Sequence, residues 1–142
     1  MLRVIAGTNG GQRLKTLRGR DTRPTTDRVR EALFNVLNPR MAGCRFLDLF
    51  AGTGAAGIEA LSRGAERALF IESNPAAVRI IRDNLTIVGR QGQAEVLCRK
   101  LPEGLTAVAT RGFKFDIIFL DPPYWKDMTE NTLANLVHLD LL

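Results

Sequence analysis

Residues 46–61 read Phe46-Leu47-Asp48-Leu49-Phe50-Ala51-Gly52-Thr53-Gly54-Ala55-Ala56-Gly57-Ile58-Glu59-Ala60-Leu61. The stretch opens as an apolar run of strand type, turns through glycines, and continues with Ile58 and Leu61 at helical spacing. That is the strand, turn and helix that begin a nucleotide-binding α/β unit. Gly52 and Gly54 can take backbone angles closed to other residues and let a ligand come close to the main chain, and the helix start presents unpaired N–H groups. A nucleoside cofactor is expected on this turn.

The pattern Gly52-x-Gly54-x-x-Gly57, followed by Glu72 at the spacing of a ribose-binding acid, spells the dinucleotide fingerprint and taken alone points to NAD. Asp48 argues otherwise. Its carboxylate falls at the end of the strand, just ahead of the place a pyrophosphate would occupy, and like charges repel there. S-adenosylmethionine, with an ammonium, a sulfonium, no phosphate and a ribose diol that Glu72 can accept from, suits the same acids better. The alternative is a glycine turn that merely packs a helix on a strand.

Working outward, Leu2–Ala6 and Gln12–Lys15 flank Gly7-Thr8-Asn9-Gly10-Gly11, and Asn-Gly between short β-type segments predicts a hairpin. Residues 16–24 are polar and aperiodic, an exposed connection. Thr26 or Asp27 can cap the next helix, whose Val29, Ala32, Leu33, Val36 and Leu37 fall at i, i+3, i+4, i+7 and i+8 and are expected to face the core. Asn38-Pro39 ends it, and the central strand begins near Arg45. Gly64 closes the helix after the glycine turn. Residues 67–71 form a second buried strand ending at Glu72, and Asn74-Pro75 starts a helix with Val78, Ile81, Leu85 and Val88 on its buried side. Residues 95–98 form a third strand, 102–109 a short helix, 115–120 a fourth strand, and 128–137 an amphipathic helix. Alternating strands and helices imply a mostly parallel sheet covered on both faces, with ligands beyond the carboxyl ends of the strands. Asp48, the glycine turn, Glu72 and Asp121 all fall at such ends.

At 142 residues the chain has the length of one domain, and 45% apolar content supports a single core. The division expected is a basic hairpin and arm over residues 1–25 and a cofactor-binding domain over 26–142. No membrane-length apolar run or signal-peptide pattern is visible, so a cytoplasmic protein is expected. Cys44 and Cys98 form no CxxC pair and have only His138 as a nitrogen-ligand companion, so no metal site is expected and both are read as small buried hydrophobes. Residues 1–30 carry eight Lys or Arg against Asp21 and Asp27, a charge of +6, whereas the whole chain carries +5. The remaining residues therefore sum to −1. A basic arm beside a near-neutral domain is a polyanion footprint, although a charge run is also the ordinary composition of a solvated face.

Asp121-Pro122-Pro123-Tyr124 follows the fourth strand directly. Methylating a base amine requires a nitrogen lone pair, delocalised into the ring, to be aimed at the methyl group, and acceptors on the amine hydrogens help to do so. Asp121 can supply one acceptor and the Pro122 carbonyl another. Pro122 and Pro123 stiffen the segment, and Tyr124 can stack on the base.

With these residues in view the chain resembles the class I S-adenosylmethionine-dependent methyltransferases, and within them the bacterial 16S ribosomal RNA guanine-N2 methyltransferases of the RsmD type. The resemblance rests on Arg3–Gly7, on Thr22-Arg23-Pro24-Thr25-Thr26-Asp27-Arg28-Val29-Arg30-Glu31-Ala32-Leu33-Phe34-Asn35, on the Asp48–Gly54 loop, on Glu72 with Asn74, and on Asp121–Tyr124. It implies a Rossmann-like sheet preceded by the hairpin. It implies that Asp48 and the glycines hold the methionine end of the cofactor and Glu72 its ribose. The cofactor set is thus Asp48, Phe50, Gly52, Thr53, Gly54, Gly57, Glu72 and Asn74. It further implies that Asp121, Pro122, Pro123 and Tyr124 hold the target guanine amine. The RNA would lie against Arg3, Arg13, Lys15, Arg18, Arg20, Arg23, Thr25 and Arg28, the partner being ribosomal RNA or a small-subunit assembly intermediate.

The chain departs from that pattern twice. After the third strand it reads Cys98-Arg99-Lys100 where many relatives place an acid or amide at the adenine, so no adenine contact is assigned. Relatives also continue past Asp-Pro-Pro-Tyr with a helix and three more strands, whereas this sequence stops at Leu142 after the one amphipathic helix, and the fourth strand is therefore expected at a sheet edge. Two other functions fit parts of the pattern. A DNA adenine-N6 methyltransferase uses the same Asp-Pro-Pro-Tyr, but no separate target-recognition domain is present. A non-catalytic RNA-binding module would need only the basic arm.

Overall fold

The computed structural model describes residues 2–17, 27–101 and 103–121. Four strands, β1 (Arg45–Leu49), β2 (Arg67–Glu72), β3 (Ala94–Cys98) and β4 (Ile117–Leu120), alternate with helices α1 (Asp27–Leu37), α2 (Ala55–Ser62), α3 (Pro75–Val88) and α4 (Glu103–Thr110). The sheet order is β3-β2-β1-β4, and every pairing is parallel. This is the expected α/β architecture. Parallel neighbours need long crossovers, and the helices supply them.

β1 lies inside the sheet and is buried from Phe46 to Leu49. Its side chains alternate between two cores. Phe46 packs with Ile58, Leu61, Phe70, Ile81 and Leu85 on the face covered by α2 and α3. Leu47 and Leu49 pack with Leu69, Ile71, Leu105 and Val108 on the face covered by α4. Each such fully buried side chain contributes about 1.5–3 kcal/mol relative to exposure. Asp48 points to the same face as Phe46, and that direction decides what its carboxylate meets.

Local signals place the boundaries. Asn74 caps α3 by accepting the Ala76 N–H, Pro75 occupies the first turn, and Gly89 ends the helix at φ 71°, a left-handed angle that favours glycine. The hairpin forms as expected. Arg3 and Arg13 face each other in an antiparallel bridge, flanked by Val4 N–H to the Gln12 carbonyl and Leu14 N–H to the Leu2 carbonyl, both 2.9 Å. β4 starts at Ile117 rather than 115, because Phe115 turns into the α4 core. Among the described residues β4 pairs with β1 alone. The sequence-predicted helix over 128–137 lies outside the described residues.

Two expectations are corrected. Only part of the apolar stripe expected for α1 faces inward: Leu33 and Leu37 are half-buried and Leu37 packs against the core, but Val29 and Val36 are 54% and 77% exposed, Ala32 is exposed as well, and the fully buried residues are Arg30 and Phe34. Phe34 stacks on Phe46 with ring centroids 6.0 Å apart. Arg30 can go inside because its guanidinium donates to the Arg3 carbonyl at 2.6 Å and to Asp27 at 3.1 Å. A charge with those partners is tolerated in the interior, so the inward face is centred on Arg30 and Phe34, with Leu37 at its edge. Cys44 is buried, but Cys98 is exposed, because it ends an edge strand.

Candidate functional site

β1 has β2 on one side and β4 on the other, and the chain leaves β1 through α2 on one face but reaches β4 through α4 on the opposite face. The carboxyl end of β1 is thus a topological switch point, where open α/β sheets bind ligands. The glycine turn occupies that position. Phe50, Gly52 and Gly54 have φ of 57°, 59° and 83°. A left-handed angle at Phe50 is uncommon for a side chain of that size. The turn is held by Ala51 N–H to the Ile71 carbonyl at 3.1 Å and Gly54 N–H to the Ala51 carbonyl at 2.8 Å.

Glu72 fastens the turn to the neighbouring strand end. One carboxylate oxygen accepts the Gly52 N–H at 2.8 Å and the other the Asn74 N–H at 2.9 Å. A carboxylate has about four lone-pair sites, so a half-buried Glu72 with these two bonds retains capacity for a diol. Asn74 uses its side-chain oxygen as the α3 cap.

Asp48 and Gly57 sit differently from what the motif suggests. Asp48 is 1% exposed, and its Oδ2 accepts the Gly57 N–H at 3.0 Å. It lies behind the turn and fixes the first turn of α2. A Cβ at Gly57 would come within 2.3 Å of the Phe70 ring, so this third glycine permits the close approach of α2 to β2. Thr53 is half-buried, and its carbonyl accepts from Asn84 Nδ2 at 3.0 Å.

Asp121 follows β4, one residue beyond the Leu49–Leu120 register pair. It therefore shares the rim with Phe50 and the glycine turn. Pro122, Pro123 and Tyr124 lie outside the described residues, as do Arg18, Arg20, Arg23 and Thr25. Of the other basic candidates, Arg13 and Arg28 are exposed. Arg3 pairs with Asp27 at 3.4 Å, and Lys15 Nζ with Asp83 at 3.2 Å, both at the surface. A hollow lined by Arg45, Arg67, Leu69 and Phe115 lies at the amino ends of the strands, away from this rim.

The sequence reading missed the residues that join hairpin to domain. Glu59, with 0% exposure, accepts the N–H of Ile5 at 2.9 Å and of Ala6 at 3.1 Å. It also accepts from Arg63 Nε at 2.8 Å and lies 3.8 Å from Arg30 Nε. Ser62 donates to the Ala6 carbonyl at 2.6 Å and accepts the Asn9 N–H at 2.9 Å. Asn84, also 0% exposed, accepts the Lys15 N–H at 2.7 Å and donates to the Lys15 carbonyl at 3.1 Å. Their signal was a polar residue on an apolar face: Glu59 stands beside Ile58, and Asn84 falls three after Ile81.

The residues at the rim suit S-adenosylmethionine. Residues 48–57 contain no Lys or Arg, the rim carboxylates are Glu72 and Asp121 with Asp48 buried behind the turn, and the turn offers a backbone approach without a phosphate counter-charge. Among the described residues no helix is long and apolar enough to cross a membrane, and no group of three or more His, Cys, Asp or Glu could hold a metal ion.

Fold and rim together define a Rossmann-like unit of methyltransferase type. The chain belongs to the family described as Conserved hypothetical protein 95, which matches residues 2–142. It is 43% identical over 136 residues to YlbH of Bacillus subtilis (strain 168), covering 96% of this chain and 73% of that one. It is 38% identical over 136 residues to Ribosomal RNA small subunit methyltransferase D of Haemophilus influenzae, covering 95% of this chain and 70% of the relative. The solved structure of yhhF from Escherichia coli superposes with a TM-score of 0.83 at 36% identity, covering 96% of this chain and 71% of that one.

Proposed function

We propose that this chain transfers a methyl group from S-adenosylmethionine to the exocyclic N2 amine of a guanine in small-subunit ribosomal RNA. The observation that carries the reading is the shared rim: a glycine turn pinned by Glu72 at the switch point, with Asp121 one strand away. Relatives from Haemophilus influenzae and Escherichia coli, at 38% and 39% identity, are named Ribosomal RNA small subunit methyltransferase D, which supports the substrate class.

In this reading Gly52 and Gly54 let the methionine end lie against the backbone, Glu72 accepts from the ribose diol, and Asp48 acts from behind by holding Gly57 and the start of α2. The cofactor supplies an electrophilic methyl group. Asp121 and the Pro122 carbonyl would accept from the guanine amine and aim its nitrogen at the methyl group, and the proton the amine loses on methylation would pass to solvent. Tyr124 stacks on the base, which must leave its own stack to arrive there. The exposed Arg13 and Arg28, with Arg3 and Lys15, provide phosphate contacts. Surface ion pairs such as Arg3–Asp27 are worth about 0–1 kcal/mol, so phosphate can displace the carboxylates.

The test is methyl transfer from labelled S-adenosylmethionine into 16S rRNA, as naked transcript and as assembly intermediate, mapped to the modified base. Label at a guanine N2 is expected. Label only in DNA adenine would favour the adenine-N6 alternative, and cofactor binding absent beside intact RNA binding would favour a non-catalytic module.

A further inference from the structure

Asn84 stands where the hairpin meets the glycine turn. Its side-chain amide is fully buried and makes three hydrogen bonds, with Lys15 N–H at 2.7 Å, the Lys15 carbonyl at 3.1 Å and the Thr53 carbonyl at 3.0 Å. Pairing with both backbone groups of one residue sets the register of the outgoing hairpin strand, as a neighbouring strand would. The same nitrogen that bonds Lys15 also bonds the turn, so one rigid planar group fixes the hairpin relative to the loop. Asn84 belongs to α3, where Asn9 and Gln12 also reach the Val88 and Ile87 carbonyls, while the hairpin's attachments through Glu59 and Ser62 end on α2, the helix that the turn begins. Moving the Thr53 carbonyl away would leave a buried donor without a partner, which is costly in a dry interior.

We propose that Asn84 is a positioning residue that couples cofactor binding at the glycine turn to RNA binding by the hairpin. This rests on the reading above, in which the turn takes the cofactor and the basic hairpin faces RNA. A cofactor that settles the turn places the Thr53 carbonyl, the placed carbonyl orients Asn84, and the oriented amide holds Lys15 and the strand that carries Arg13. Ordering of the hairpin is then partly complete before RNA arrives, which is positive cooperativity through shared ordering. By linkage the effect is reciprocal, and RNA must tighten cofactor binding by the same factor.

The test measures RNA affinity with a 16S rRNA transcript at fixed salt, with and without saturating S-adenosylhomocysteine, in the wild type, Asn84→Ala and Asn84→Asp. Amide hydrogen exchange at Lys15 is followed in the wild type in parallel. The wild type should bind RNA at least about 5-fold more tightly with the nucleoside present, at the lower end of ordinary allosteric coupling, and the Lys15 amide should exchange correspondingly more slowly. Asn84→Ala should bind each ligand alone yet show a coupling factor near one. Asn84→Asp, which keeps the acceptor for Lys15 N–H but can donate to neither the Thr53 nor the Lys15 carbonyl, should behave like Asn84→Ala. A purely structural role would weaken both bindings without changing their ratio.

Wild-type coupling below 2-fold with unchanged Lys15 exchange overturns the proposal alone, as does full coupling in Asn84→Ala. Failure of the wild type to bind S-adenosylhomocysteine overturns the cofactor site and this proposal with it. If neither variant folds, wild-type Lys15 exchange decides: protection raised by the nucleoside supports the coupling, and unchanged exchange overturns it.

Discussion

Replacing Glu59 with Ala should detach the hairpin from the domain before the sheet itself fails. The fully buried carboxylate is the common acceptor for Ile5 N–H, Ala6 N–H and Arg63 Nε, with Arg30 Nε 3.8 Å away. Alanine would leave these groups around a cavity. An unsatisfied buried donor costs about 1–3 kcal/mol, and breaking a buried ion pair by removing one partner costs about 3–5 kcal/mol. These do not add in full. Arg63 keeps Asn35 and Asn38 at 3.3 and 3.2 Å, Arg30 keeps Asp27 and the Arg3 carbonyl, and water entering the cavity can serve the two amides. The expected loss is therefore the ion-pair figure, about 3–5 kcal/mol, against a total stability on the order of 5–15 kcal/mol. Glu59→Gln retains an acceptor for one N–H and should fall between the two. Urea unfolding followed by circular dichroism gives the loss, and hydrogen exchange gives its location, with Ile5 and Ala6 among the first amides to open. A Glu59→Ala chain within about 1 kcal/mol of wild type, with Ile5 and Ala6 still protected, would refute the idea that this carboxylate anchors the hairpin.

Gly57→Ala gains helix propensity of about 1 kcal/mol but puts a Cβ 2.3 Å from the buried Phe70 ring. Net destabilisation of about 1–2 kcal/mol, after an overpacking cost at the upper end of its range, should be relieved by Phe70→Leu in a double-mutant cycle; an additive cycle would refute the clash. Asp121→Ala should reduce methyl transfer while leaving S-adenosylhomocysteine affinity within about 2-fold by calorimetry, because the cofactor rests on different strand ends; full turnover by the folded, cofactor-bound variant would reduce Asp121 to part of a turn. Burial, with Asp116 nearby, pushes the Cys44 thiol up to about 11 from 9.0. The folded state therefore holds this proton more tightly, so the stability it contributes is complete below pH 9 and disappears as pH rises through 11. Denaturation curves should show the stability gap between wild type and Cys44→Ala shrinking by about 3 kcal/mol over that window, while a thiol reagent at pH 8 modifies Cys98 first.

The sheet was legible because its signals are local. Apolar runs of strand length marked β1 and β2, Asn74-Pro75 marked the start of α3, and Asn9-Gly10 marked the hairpin, each through a constraint that acts within a few residues. The rim followed from topology, since any parallel sheet of this kind puts Asp48, the glycine turn, Glu72 and Asp121 at one end. What each acid touches was not legible. Asp48 and Glu72 both read as ligand acids, but the pleat sends Asp48 under α2, where it takes the Gly57 N–H, and leaves Glu72 half-buried at the edge of the turn.

The face of α1 illustrates why such choices escape a periodicity argument. Counting apolar residues ranks Val29, Ala32 and Val36 above Arg30, and for an isolated helix that ranking is sound. It fails here because the interior already holds polar partners for Arg30, the Arg3 carbonyl at 2.6 Å and the Glu59 carboxylate at 3.8 Å. Glu59 enters the core from α2, needs donors that no aliphatic residue can supply, and receives them from Arg63 and two hairpin amides, with the Arg30 guanidinium 3.8 Å away as a charge partner. Once Arg30 is drawn inward, Phe34, one turn further on, meets the Phe46 ring, and Val36 is left 77% exposed. Hairpin, α1 and α2 thus settle together around one polar cluster. The orientation of α1 is decided by Arg3 in the hairpin and Glu59 in the helix that follows the glycine turn, and no window of local sequence contains all three.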